Sequence, residues 1–192
     1  MRGLPVLLGA CAVLVCGGAA TQSKLKPETA NGATLTPLIL EKEEGERRIV
    51  RGWPGHPNLG ESFILKVGPK NGGSSHLVFF TADLAPGRAI DAHRRPSSDE
   101  ILYLQKGTAR VHLGDSLRVV NAGATVFIPA NTWISVDNIG NEGISLVGVF
   151  SAPGFEEFMR ATSVRQGDKN VPLSKAENDQ IEKMHRIDVI YK

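Results

Sequence analysis

At 192 residues, with 41% hydrophobic and 22% charged side chains, the chain has room for one well-buried core plus extensions and needs no covalent staples to fold. Its net charge of +2 falls to +1 without Arg2, the one charge among the first twenty residues, which argues against nucleic acid or an anionic membrane surface as a partner.

The chain opens with Met1 and Arg2, an apolar run from Leu4 to Val15, and the small residues Gly17, Gly18, Ala19 and Ala20. This is the layout of a secretory signal peptide over residues 1–20. The run is short against the ~20 apolar residues that cross a bilayer. Cleavage near Ala20 is therefore the favoured reading, giving a secreted or periplasmic protein with no membrane span in the mature chain. Retention as an anchor competes with it, and Leu8-Gly9-Ala10-Cys11 leaves lipidation at Cys11 open. Both cysteines, Cys11 and Cys16, fall inside this segment, so a cleaved chain has no disulfide to rely on.

Residues 21–35 are polar, without an apolar period, and read as a flexible tether. From Thr36 the pattern changes. Short runs rich in Val, Ile, Leu and Phe predict strands at Leu38–Leu40, Arg48–Val50, Phe63–Val67, Leu77–Leu84, Ala89–His93, Ile101–Gln105, Thr108–Leu113, Leu117–Val120, Thr125–Ile128, Trp133–Val136 and Ile144–Phe150. Turn residues such as Gly72-Gly73, Pro86-Gly87 and Asn121-Ala122-Gly123 punctuate them. An all-β, antiparallel sandwich or barrel over residues 36–153 follows. Residues 154–192 read as a helical extension: Phe155, Phe158, Met159 and Thr162 predict a helix within Gly154–Val164. Ser174 and Glu177 form a capping box that opens a second helix running to about His185.

Two segments carry a recognisable pattern. Gly87, His93, Glu100 and Gly107 fit G-x5-H-x-H-x3-4-E-x6-G, and Gly123, Pro129 and Asn138 fit G-x5-P-x-G-x2-H-x3-N. These are the two motifs of the cupin family, and the chain resembles its small, single-domain type-2 members of the quercetin-dioxygenase-like kind. The resemblance implies an antiparallel double-stranded β-helix, or jelly-roll barrel, with short C-terminal helices. It also implies a pairing of two copies by exchange of N-terminal strands, with Leu38–Val50 as the edge of a homodimer. In metal-dependent cupins three imidazoles and the motif glutamate hold iron, manganese, nickel, copper or zinc. Here Arg95 stands at the second histidine position, Ile134 at the third, and Asn131 at the second-motif glycine. Only His93 and Glu100 remain as metal ligands, and two ligands rarely hold a transition metal against water.

Alternate side chains on a strand share a face, so Asp91, His93 and Arg95 are expected to point inward and Glu100 to face them. A guanidinium has donors but no lone pair and repels a cation. Arg95 is expected to take the cation's place, paired with Glu100 or with Asp91, beside His93; the competing reading is a decayed site with Arg95 turned to solvent. His76 is a candidate replacement ligand, His112 faces outward, and Trp133 and Tyr103 could line a pocket mouth. No residue is assigned a catalytic role, and whether the protein is an enzyme stays open. The reading is a metal-free or weakly metal-binding module for a small polar or acidic molecule, with His93, Arg95, Glu100 and Asp91 as contacts and no cofactor. The alternative is a metal-dependent oxidoreductase (dioxygenase-like) or isomerase with a rebuilt site.

Overall fold

The computed structural model describes residues 29–30, 33–53 and 61–192. The signal-like segment 1–20, and with it Cys11, lies outside the described residues. In the segment read as a tether, β1 (Thr29–Ala30) and β2 (Ala33–Thr34) form a short antiparallel ladder.

The main body is built from β3 (Glu46–Val50), β4 (Ser62–Val67), β5 (Val78–Leu84), β6 (Ala89–Arg94), β7 (Glu100–Lys106), β8 (Thr108–Leu113), β9 (Ser116–Asn121), β10 (Thr125–Ile128), β11 (Ile134–Asn138) and β12 (Ile144–Phe150). Then come α1 (Phe155–Ala161), β13 (Ser163–Arg165), α2 (Lys175–Met184) and β14 (Ile190–Tyr191). One sheet runs β10-β7-β12-β5-β4-β3-β13 and the other β14-β6-β11-β8-β9, with antiparallel pairing throughout. These are the antiparallel sheets expected from the strand spacing, and their arrangement fits the jelly-roll that the resemblance implies.

Period-two burial explains how the sheets face each other. In β12, Ile144, Leu146, Gly148 and Phe150 are buried while the residues between them are partly exposed. They pack with Phe63, Leu65, Val78 and Phe80 of their own sheet and with Val111, Ile134 and Val136 of the other. Gly148 has a packing reason: a Cβ there would overlap the Phe80 ring, which stacks on Phe150 with centroids 5.1 Å apart. Before β3, the Lys66 ammonium donates to the backbone carbonyls of Glu41 (2.6 Å), Lys42 (2.7 Å) and Glu44. One buried cation thus satisfies a turn that has no ladder of its own.

Two expectations change. Leu38–Leu40 forms no strand, and Ile39 is 96% exposed. Within the chain, β3 is bonded to β4 on one side and, at residues 48–50, to β13 on the other. Second, the helix in Gly154–Val164 stops at Ala161, and Ser163–Arg165 returns as β13. Its β-branched Val164 fits a pleat, and the edge of β3 offers the backbone partners. The capping box is present as read, with the Ser174 hydroxyl accepting from the Glu177 N–H and the Glu177 carboxylate accepting from the Ser174 N–H.

Candidate functional site

β6 delivers His93, the connection after it delivers Arg95, and β7 opens with Glu100. All three are buried, at 3%, 6% and 2% exposure. Arg95 Nη1 donates to Glu100 Oε2 in a pair with both side chains almost fully out of water. Its guanidinium carbon lies 4.5 Å from the centroid of the Phe150 ring and 4.2 Å from that of Phe155, so two aromatic faces hold the cation. The inward arginine expected from the strand pattern is therefore present, its partner is Glu100, and the solvent-turned alternative does not apply.

Burial destabilises both charges. It raises the Glu100 carboxyl, against the pull of Arg95, and lowers the Arg95 guanidinium, against the pull of Glu100. Arginine keeps its proton in proteins, so Glu100 is the member of the pair that titrates.

His93 Nδ1 lies 2.7 Å from the Asp91 carbonyl. A carbonyl only accepts, so Nδ1 carries the proton and Nε2 is a lone-pair acceptor. Burial, then the neighbouring Arg95 charge, pushes the imidazole pKa down to about 3, which keeps the ring neutral. Its ring lies parallel to Phe155 at 6.4 Å and tilted against Tyr191 at 5.7 Å. Nε2 of His93 and Nε of Arg95 are both buried and meet no hydrogen-bond partner. They are one acceptor and one donor left open at the centre of the fold.

The register places Asp91 differently from simple alternation. Opposite β11, His93 pairs with Ile134 and Ile90 with Val136, so the ladder slips between them and Asp91 and Ala92 share the place of one residue. Asp91 is half-buried; its carbonyl holds His93, and its charge helps keep the Tyr191 hydroxyl protonated, behind the larger effect of burial. Arg94 turns to the other side, with its guanidinium carbon 5.0 Å from the centroid of Trp133.

The three departures from the motifs are of three kinds. Asn131 adopts φ 64°, a left-handed conformation that Asn tolerates, so it keeps the glycine's backbone, and its N–H donates to the Arg95 carbonyl at 2.6 Å. Ile134 is 1% exposed and joins the apolar core directly opposite His93. Ile134 thus removes a ligand, whereas Arg95 replaces one with a fixed charge. The motif residue Asn138 is structural: its amide donates to the carbonyls of Leu84 and Glu142, both at 2.9 Å.

The donor set does not fit a metal. Among the described residues no group of three or more His, Cys, Asp or Glu could hold an ion. The one motif carboxylate is engaged by a guanidinium that would repel a cation. His76 is exposed at the head of β5, and His112 is exposed on β8 as expected. Tyr103, a candidate for a pocket mouth, is 40% exposed on the outer face of β7.

Sequence reasoning missed the wall of the site. Tyr191 stands opposite His93 in the β14–β6 ladder, and Phe155 and Phe158 come from α1, 5.6 Å apart. A two-residue strand has no period to detect, and the helix pattern indicated a packed face without saying against what.

Residues 80–150 match the model of the cupin domain family. A predicted oxalate decarboxylase from Thermotoga maritima is 17% identical with a TM-score of 0.53, over 60% of this chain and all of that one. An RmlC-like cupin from Shewanella frigidimarina is 16% identical with a TM-score of 0.51, over 64% of this chain and 96% of that one. At these identities the likeness is one of fold. No curated protein matches the sequence.

Proposed function

We propose that this chain, whose residues 80–150 match the cupin domain family, is a binding module that holds a small polar molecule between its sheets without a metal. The observation that carries this reading is the pair of open polar atoms, Nε2 of His93 and Nε of Arg95, beside an ion pair that is already complete. A buried acceptor and a buried donor left unmade each cost about 1–3 kcal/mol, so a molecule supplying both partners recovers that cost on binding.

Charge balance sharpens the ligand class. Glu100 already compensates Arg95, so a free carboxylate would bring a second negative charge into a dry site. The ligand is therefore a neutral compound that offers a hydroxyl to Nε2 and an oxygen to Nε, or a carboxylic acid that arrives with one proton. Tyr191 and Phe155 stand against His93, so binding displaces β14, whose hold on β6 is two residue pairs and the Lys192 N–H to Ala92 carbonyl bond at 3.0 Å. The apolar run from Leu4 to Val15 supports export of this module.

The test is a titration of 15N-labelled protein with small hydroxy compounds and carboxylic acids at pH 5 and pH 8, following the His93 Nε2 resonance. Saturable shifts that vanish in Arg95→Met, with carboxylic acids binding more tightly at pH 5, are expected. Equimolar metal in the purified protein, lost in both His93→Ala and Glu100→Ala, would overturn the reading in favour of a metal-dependent oxidoreductase or isomerase.

A further inference from the structure

A second site lies away from the centre, where β3, α1, β13 and the 68–73 turn meet. The cleft holds about 510 Å3 and is lined by Gly45, Glu46, Arg47, Lys70, Asn71, Arg160, Arg165 and Gln166. Its walls are an ordered charge chain. Glu46 Oε1 accepts from Arg48 at 2.7 Å, and Glu46 Oε2 accepts from Arg160 at 2.9 and 3.0 Å. Glu157 then joins Arg160, at 2.7 Å, to Lys70, at 2.9 Å. Arg47 pairs with Glu43 at the side.

Five cations, Arg47, Arg48, Lys70, Arg160 and Arg165, thus meet three carboxylates, Glu43, Glu46 and Glu157. Two positive charges stay uncompensated. Arg165, exposed at the end of β13, makes no side-chain hydrogen bond or ion pair among the described residues, and neither does the Gln166 amide beside it. The ladder fixes the backbone at both: Arg165 pairs with Arg48, and the Gln166 N–H donates to the Arg47 carbonyl at 3.2 Å. The overall charge of the chain conceals this clustering.

We propose that this cleft binds a small dianion of the phosphate or dicarboxylate type, with Arg165 and Gln166 as its direct donors and the Glu46–Arg160–Glu157 chain as the rigid wall. The net excess of two positive charges matches a dianion, and the ion-paired wall is already ordered, so the ordering cost on binding falls on the Arg165 and Gln166 side chains alone. The volume accommodates a phosphomonoester or a short dicarboxylate.

The experiment is a calorimetric titration of the full chain with inorganic phosphate, succinate and, as a neutral control, glycerol, at constant ionic strength. Saturable one-to-one binding of phosphate or succinate is expected, with glycerol silent. A single charge-assisted contact at a partly wet site predicts weakening of about tenfold in Arg165→Ser, and Arg165→Glu should abolish binding. Lys106→Ala, which removes an exposed pair with Glu142 elsewhere, should leave binding unchanged. Absence of saturable binding, or equal affinity in wild type and Arg165→Ser, would overturn the proposal. Because His93 and Arg95 take no part, Arg95→Met should retain this binding, which keeps its test separate from that of the central site.

Discussion

The molecule makes the same kind of bond in two opposite settings. At the centre, the side chains of Arg95 and Glu100 are 5% and 2% exposed, clamped by Phe150 and Phe155. At the cleft, Arg160 and Glu46 are 11% and 16% exposed, and Lys70 and Glu157 are 63% and 39% exposed. At the centre, burial raises the carboxyl; at the cleft, burial also pushes Glu46 up, but hydrogen bonds from Arg160 and Arg48 outweigh it and leave the group below the usual carboxylate range. An ion pair's worth therefore depends on what each charge would do alone. A lone charge at the centre has no water to turn to, whereas one at the cleft does.

Removing one partner at the centre gives the largest expected effect. Glu100→Gln should cost about 3–5 kcal/mol, since it strands the Arg95 charge, while Arg95→Met with Glu100→Leu should be neutral or stabilising by about 1–4 kcal/mol. Urea denaturation of the single and double variants decides it, and equal losses in both would erase the contrast between the two regions.

The next effect is on pH. His93 is neutral in the fold down to about pH 3, whereas the unfolded chain takes up this proton near pH 6.5. Between these values the unfolded state holds more protons, so this contribution is full above pH 6.5 and is lost toward pH 3 at up to about 1.4 kcal/mol per pH unit. His93→Phe should remove that slope. Glu100 contributes in the opposite sense: its raised carboxyl keeps a proton longer in the fold, so its contribution falls as pH rises above the ordinary carboxylate value. Denaturation curves from pH 3.5 to 7.5 in wild type and His93→Phe separate the two slopes.

Smaller effects belong to the cleft. Glu46→Gln should cost about 1–2 kcal/mol, because it leaves Arg48 and Arg160 facing each other at a half-wet site. Lys70→Ala, on the exposed pair with Glu157, should cost less than about 1 kcal/mol, and 1 M salt should abolish even that. The Glu100→Gln loss should persist in the same salt. If the two variants respond alike, screening reaches the centre and the interior pair is wetter than its burial indicates.

How much of this was legible beforehand divides along the same line. The strands were readable because period-two burial leaves its mark on composition, as in Ile144, Leu146 and Phe150. The motif positions and the inability of a guanidinium to bind a metal pointed to a paired Arg95, but between Glu100, Asp91 and a turn to solvent only the structure decides, in favour of Glu100. Asp91 was placed on the inward face by alternation, and the register slip opposite Ser135 interrupts that alternation. The cleft was invisible because Arg47, Lys70, Arg160 and Arg165 are scattered in sequence and only β3–β13 pairing and the packing of α1 gather them. Tyr191 was missed because its place depends on a ladder of two residue pairs.

That short ladder has a consequence for how the driest part of the molecule meets water. Segments held by few backbone bonds open far more often than the sheets they lie on. β14 is such a segment, and His93 lies beneath its Tyr191. The innermost polar atoms are therefore guarded by one of the least cooperative elements of the fold. Water should reach His93 through brief excursions of Tyr191 that leave both sheets intact, so imidazole proton exchange should track the amides of β14 rather than those of β6.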